Sequence, residues 1–294
     1  MNIRQPVYAR DFEGFYEASP TSCRHHVQKL LDAAELPGNL PERLCGGLVP
    51  HAGWVYSGRL AAMTFKALAR QGEVDTVVLF GAVHHAGVRA GEVYDSGVWQ
   101  SPLGEVAIDE ELAAAVLQAD ESLRANPRAH NQEHSIEVQI PLVQMACAGA
   151  KVLPIAVPPA DLAVRVGQAV GRVIAERFPR AVVVGSTDLT HHGGGRFPAP
   201  GGRGEQGVRW TVANDRRMID LVEAMQAEKI VPEAHERMNA CGAGAVAATI
   251  AAAAQMGAQK GILLEYTNCH EILKHLYPGQ TDDTTIGYAS VVFA

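Results

Sequence analysis

The chain has 294 residues, 47% of them hydrophobic, and a formal net charge of −7 at neutral pH. That length permits one or two domains, and with no dividing linker in view the whole of 1–294 reads as one. The absence of a basic stripe argues against a nucleic-acid partner, no apolar run is long enough to span a bilayer, and MNIRQPVYARDFEGF has no apolar leader core, so a cytoplasmic chain is expected.

Along the chain, Thr21 or Ser22 caps a helix running to about Glu35, with Val27, Leu30, Leu31 and Ala34 on one face. A strand near 45–49 follows. A helix from Ser57 through Ala61, Phe65 and Leu68 to Gly72 joins it to a strand at 76–80, a βαβ unit with a right-handed crossover. The stretch 91–109 alternates and turns at Ser101-Pro102 and Gly104, which predicts a β-hairpin excursion. Helices are expected at 109–119, 133–148 (disturbed at Pro141), 160–178, 210–226 and 242–256, and strands at 151–157, 181–185, 260–266 and 285–293. Strands alternating with helices make a three-layer α/β fold. HHGGGRFPAPGGRGEQG (191–207) is too rich in glycine and proline for regular structure; a mobile lid and a plain solvent loop both fit it.

Histidine recurs where predicted strands stop. Pro50-His51-Ala52-Gly53 follows the first strand, His84 and His85 follow TVVLFG, and Asp188, His191 and His192 follow AVVVGS. Five of the twelve histidines therefore gather at the carboxyl ends of three strands, the edge where open α/β sheets bind ligands. Adjacent residues leaving a strand point apart, so one of His84 and His85 faces the site, and His84 is our choice. Asp188 is placed to orient a histidine or bind metal, and His191 is the leading candidate for general acid/base. In NQEHSIEVQIPL, His134 and Glu137 share a helix face, so Glu137 could orient His134 as a further acid–base group; a solvated helix start with Glu133 fits as well. Cys241 stands at a predicted helix start, where the helix dipole should lower its pKa. The other cysteines (Cys23, Cys45, Cys147 and Cys269) have no such context, and the odd total without close pairing predicts a reducing compartment and no disulfide framework. Two histidines with a cysteine or carboxylate suit iron, copper or zinc.

PHAGWVYSG, GAVHHAG, EHSIEVQIPL, STDLTHH, CGAGAV and IGYASVVF, in that order, resemble the motifs of the Memo family, called AmmeMemoRadiSam system protein B in bacteria and archaea. The resemblance covers nearly the whole chain; the stretch 193–207 departs from it. It implies a three-layer α/β/α architecture with a mostly parallel central sheet, remotely similar to the class III extradiol dioxygenases and their non-haem iron. It also implies metal ligands at His51, His84 and Cys241, further site residues at Asp188 and His191, and His191 at the extradiol acid–base position. Those enzymes hold iron with two histidines and a glutamate, and here Cys241 stands in the carboxylate's place. The family name implies a radical-SAM protein and an AMMECR-type protein as partners.

Three functions fit these residues. The first is an iron-dependent oxidoreductase of the extradiol type, with iron preferred over copper or zinc and the substrate unknown. A second is a non-catalytic iron- or copper-binding or redox-signalling protein acting through partners. The third is a cysteine- or zinc-dependent hydrolase with Cys241 as nucleophile and His191 as base.

Overall fold

The computed structural model describes residues 2–11, 14–278 and 283–294. Its first half runs β1 (Ile3–Arg4), α1 (Pro20–Ala33), β2 (Gly46–Val49), α2 (Trp54–Ala69), β3 (Thr76–Gly81), β4 (Gly91–Val93), β5 (Val98–Ser101), β6 (Gly104–Ala107), α3 (Glu110–Ala119) and β7 (Leu123–Ala125). Two short 3-10 turns at Pro127–His130 and Glu137–Gln139 lead into α4 (Ile140–Ala146). Then come β8 (Lys151–Ala156), α5 (Leu162–Arg177), β9 (Ala181–Ser186), β10 (His191–His192), α6 (Gly204–Glu223), α7 (Ala227–Arg237), α8 (Ala243–Gln255), β11 (Gly261–Asn268), α9 (Cys269–Leu276) and β12 (Thr285–Phe293).

The large sheet has the order β10-β12-β2-β9-β3-β8-β4-β7, with β11 also on β12. Its centre, β2-β9-β3-β8, is parallel throughout, while β12 and β4 border it antiparallel. The central strands are buried along nearly their whole length, as continuous apolar runs of a sheet covered on both faces require. Alternation assigns the two helical layers. Gly47 lies against Thr64 of α2, whereas Gly185, the partner of Leu48 in β9, lies against Thr249 of α8. Successive strand residues face opposite ways, so α2 and α8 cover opposite faces and the architecture has three layers. A second, three-stranded sheet of order β1-β5-β6 stands apart.

Several expected elements differ. β2 and β3 are not neighbours, because β9 inserts between them. α2 begins at Trp54 rather than Ser57, with Gly53 as its N-cap. Only β5 and β6 of the expected excursion form the hairpin; β4 joins the large sheet. The helix expected from 133 starts at Ile140, with Pro141 in its first turn, where a missing N–H does no harm. The segment 191–207 is not wholly irregular: His191 and His192 pair with Ile286 and Thr285 of β12, and α6 already starts at Gly204. Among the described residues no helix is long and apolar enough to cross a membrane, and no disulfide joins the cysteines.

Candidate metal centre

Parallel register brings the three histidine-bearing strand ends together. β9 lies between β2 and β3, with Ser186 opposite Val49 and Gly185 opposite Phe80. The chain beyond each strand therefore emerges at one edge. Beyond β2, His51 is 2% exposed, and its backbone N–H donates to Asp188 Oδ1 at 2.8 Å. The Ala52 N–H reaches the same oxygen at 3.3 Å. Asp188 thus shapes the Pro50–Gly53 turn through the backbone. Burial pushes its carboxyl up to about 7, against the pull of these two donors.

His51, His84 and His134 each bring a ring nitrogen within 4.8 Å of the others. The rings of His84 and His134 stack with centroids 4.7 Å apart, and His51 stands edge-on to both, at 5.2 and 5.1 Å. Glu133 anchors the stacked pair. Its Oε1 accepts from His84 Nδ1 and from the Ser135 N–H, each at 2.9 Å, and lies 3.5 Å from His134 Nδ1. Its Oε2 accepts the His84 backbone N–H at 2.9 Å. A carboxylate on one ring nitrogen leaves the other to bind a metal and raises its basicity.

Burial works against charge on His84, but the hydrogen bond and charge of Glu133 outweigh it and raise this histidine above its ordinary value. Burial likewise opposes charge on Glu133, and the His84 contact with two backbone donors outweighs it and holds the carboxyl low. His134 is pushed down to about 4 by burial and the neighbouring His84. His51 is also held well below its usual range, through burial and then the two facing imidazoles. Two of the three imidazoles, His51 and His134, are thus held neutral, with the lone pairs a metal ion needs.

Cys241 also reaches His51, its Sγ 3.1 Å from His51 Nε2 and 3.3 Å from the donating Asp188 N–H. Small residues let it come so close. A Cβ on Gly242 would sit 2.3 Å from the Ser186 carbonyl, and one on Gly244 2.3 Å from that of Pro158. The expected lowering of this thiol does not occur. Burial and the nearby Asp188 push the Cys241 pKa up, because desolvation of a thiolate outweighs a helix end that starts only at Ala243. Nor does the sulfur meet His191: among the described residues its imidazole partner is His51. The hydrolase reading therefore loses the expected Cys241–His191 pair, and the imidazole within reach of the sulfur is that of His51.

A Memo-like protein family model matches residues 7–292. The chain belongs to the Memo family. A MEMO1 family protein of Methanopyrus kandleri is 34% identical over 99% of this chain and 98% of its own length. One from Pyrococcus abyssi is also 34% identical, over 99% of each chain, and one from Methanothermobacter thermautotrophicus is 33% identical, over 92% and 95%. The solved structure of an uncharacterized protein from Escherichia coli K12 aligns with 78% of this chain and 91% of its own, at 12% identity and a TM-score of 0.46.

In this Memo chain the structure groups the candidate residues differently from the sequence. His134, expected as an acid–base group beside Glu137, joins His51 and His84. Glu137 turns the other way, pairing with Arg4 at 2.5 Å and accepting from the backbone N–H groups of Val7 and Tyr8 and from the Tyr16 hydroxyl. The carboxylate beside the histidines is Glu133. Its signal was the Glu133-His134 adjacency, but the expected helix hid it by pointing attention to the i, i+3 pair. His85 contacts the Ala129 carbonyl at 2.9 Å. His191 holds the rim: its Nδ1 donates to the Leu189 carbonyl at 3.0 Å, and Phe197 packs against its ring at 4.9 Å. Burial lowers its pKa, so it is neutral at pH 7, with Nε2 able to accept a proton.

Proposed function

We propose that this Memo-family chain is a non-haem iron oxidoreductase of the extradiol-dioxygenase type. His51, His84 and His134 would hold the metal as nitrogen donors, with the Cys241 sulfur beside them. The convergence of three imidazoles backed by Glu133 carries this reading, since such a donor set suits iron, copper or zinc rather than magnesium or calcium. A bound iron would supply the activation of O₂ and a Lewis-acid position for a substrate oxygen. The chain's own groups do the rest. Glu133 fixes the stacked pair, Asp188 fixes the turn that carries His51, and His191 accepts a substrate proton at Nε2 while Phe197 covers one side of its ring.

A second reading, a non-catalytic copper-binding or redox-signalling protein, is favoured by the Cys241 sulfur against His51 Nε2, because soft thiolates select Cu(I). Anaerobic loading of untagged protein with Fe(II) tests the first. Near-stoichiometric iron that is lost in His84→Ala supports it, as does catechol-dependent O₂ uptake that falls about 10²–10⁴-fold in His191→Gln with iron retained. Failure to hold iron overturns it. Retained Cu(I) without O₂ uptake favours the second reading.

A further inference from the structure

The two histidines at the strand ends are held by different kinds of partner. His84 has a carboxylate. His51, deeper in the site, has a hydroxyl at the corresponding ring nitrogen: Ser186 Oγ lies 2.9 Å from its Nδ1.

A hydroxyl has one proton, so the remaining contacts of Ser186 decide who donates to whom. The Ser135 carbonyl, which can only accept, lies 2.8 Å from Ser186 Oγ and takes that proton. On another side stands Gln139 Nε2, at 3.5 Å, itself fixed as a donor by the Pro50 carbonyl at 2.8 Å. With its proton committed to Ser135, Ser186 Oγ can only accept from His51. His51 Nδ1 therefore carries the hydrogen, and Nε2 keeps the lone pair. That nitrogen is the one 3.1 Å from Cys241 Sγ. The opposite tautomer would leave Ser186 Oγ and Nδ1 facing each other as two acceptors, buried beyond reach of water.

We propose that Ser186 is a positioning residue that sets the tautomer of His51, through a Ser135 carbonyl–Ser186–His51 chain, and so presents Nε2 as the donor atom of the metal site. The metal-binding part of this inference rests on the function proposed above; the tautomer does not. The hydroxyl orients the ring without adding a charge of its own beside a histidine that is 2% exposed. Ser186 is the last residue of β9, opposite Val49, so the parallel register delivers the hydroxyl beneath His51.

Long-range proton–nitrogen NMR on the metal-free protein at neutral pH reads the tautomer directly. The expected result is His51 protonated at Nδ1 in the wild type and a shift of population to the Nε2–H form in Ser186→Ala. A wild-type ring protonated mainly at Nε2 overturns the proposal, even if the variant fails to fold. Anaerobic Fe(II), titrated against a competing chelator, gives the second readout. Ser186→Ala should bind about 10–100-fold more weakly, the usual range for losing such an outer partner, and Ser186→Thr, which keeps the hydroxyl, should bind as the wild type does. Wild-type affinity in Ser186→Ala overturns the proposed role in metal binding. Should the wild type hold no iron, the metal reading falls and the NMR result alone decides the tautomer.

Discussion

Glu133 and Glu137 lie one helical turn apart in sequence, and both are almost fully buried, yet they serve different ends. Glu133 faces two imidazoles; Glu137 faces the Arg4 guanidinium, which is itself 4% exposed. Replacing each separates site from scaffold. Glu133→Gln keeps an acceptor for His84 but loses the charge, and Fe(II) affinity should fall about 10–100-fold in a chelator competition. Glu137→Ala leaves Arg4 charged, buried and unpaired, which should cost about 3–5 kcal/mol in urea unfolding. A third carboxylate gives a pH signature. Asp215, buried on α6, accepts from the Thr190 N–H at 2.8 Å and the Tyr266 hydroxyl at 2.7 Å, and burial pushes it from 3.8 up to about 7 despite both donors. The folded state therefore keeps this proton where the unfolded chain has lost it. The stabilisation is complete below 3.8 and disappears as pH rises toward 7, a difference on the order of 4 kcal/mol. Asp215→Asn should flatten that part of the stability profile, measured as urea midpoints across this pH range.

At the level of elements, hydrophobic period located most of the central strands and their covering helices, because those segments are buried by their own pattern. α7 escaped it because Pro232 inside the helix reads as a break; Ile230, Val231 and Ala234 pack inward and hold the helix across it. α9 escaped because it is only eight residues long, two turns, although Ile272, Leu273 and Leu276 give it an apolar side. The tightest helix contact was also invisible. Gly167 and Gly171 of α5 lie so near α8 that a Cβ would come within 2.1 Å of the Ala248 carbonyl and 2.4 Å of the Ala252 carbonyl. Alanine normally improves a helix by about 1 kcal/mol over glycine. Here the overlap is with backbone, which cannot swing aside, so Gly167→Ala should instead destabilise by about 1–3 kcal/mol in thermal or urea unfolding.

Across the whole molecule, the N-terminal segment ties the small sheet to the site. Arg4 of β1 reaches the carbonyls of His130 and Glu133, Tyr8 and Phe15 pack on the His134 ring at 5.4 and 4.5 Å, and the Trp54 N–H donates to the Phe15 carbonyl. Glu137 gathers this segment, with the Tyr16 hydroxyl 3.0 Å from its Oε1. Tyr16→Phe removes one donor from a buried carboxylate and should lower stability by about 1.5–3 kcal/mol, with earlier proteolysis of the N-terminal segment as the local readout.

The sequence by itself determined that histidines stand at strand ends, that the strands and helices alternate, and that His51 and His84 each follow the carboxyl end of a strand. Those facts are local: each needs only a hydrophobic run, a turn and the residue after it. Tertiary structure alone decided that β9 lies between β2 and β3, that His134 closes the histidine group, and that Glu133 rather than Glu137 backs it. Each of these joins residues tens to hundreds of positions apart. Their distances follow from strand order and from glycines that admit close backbone contact, and neither leaves a periodic trace along the chain.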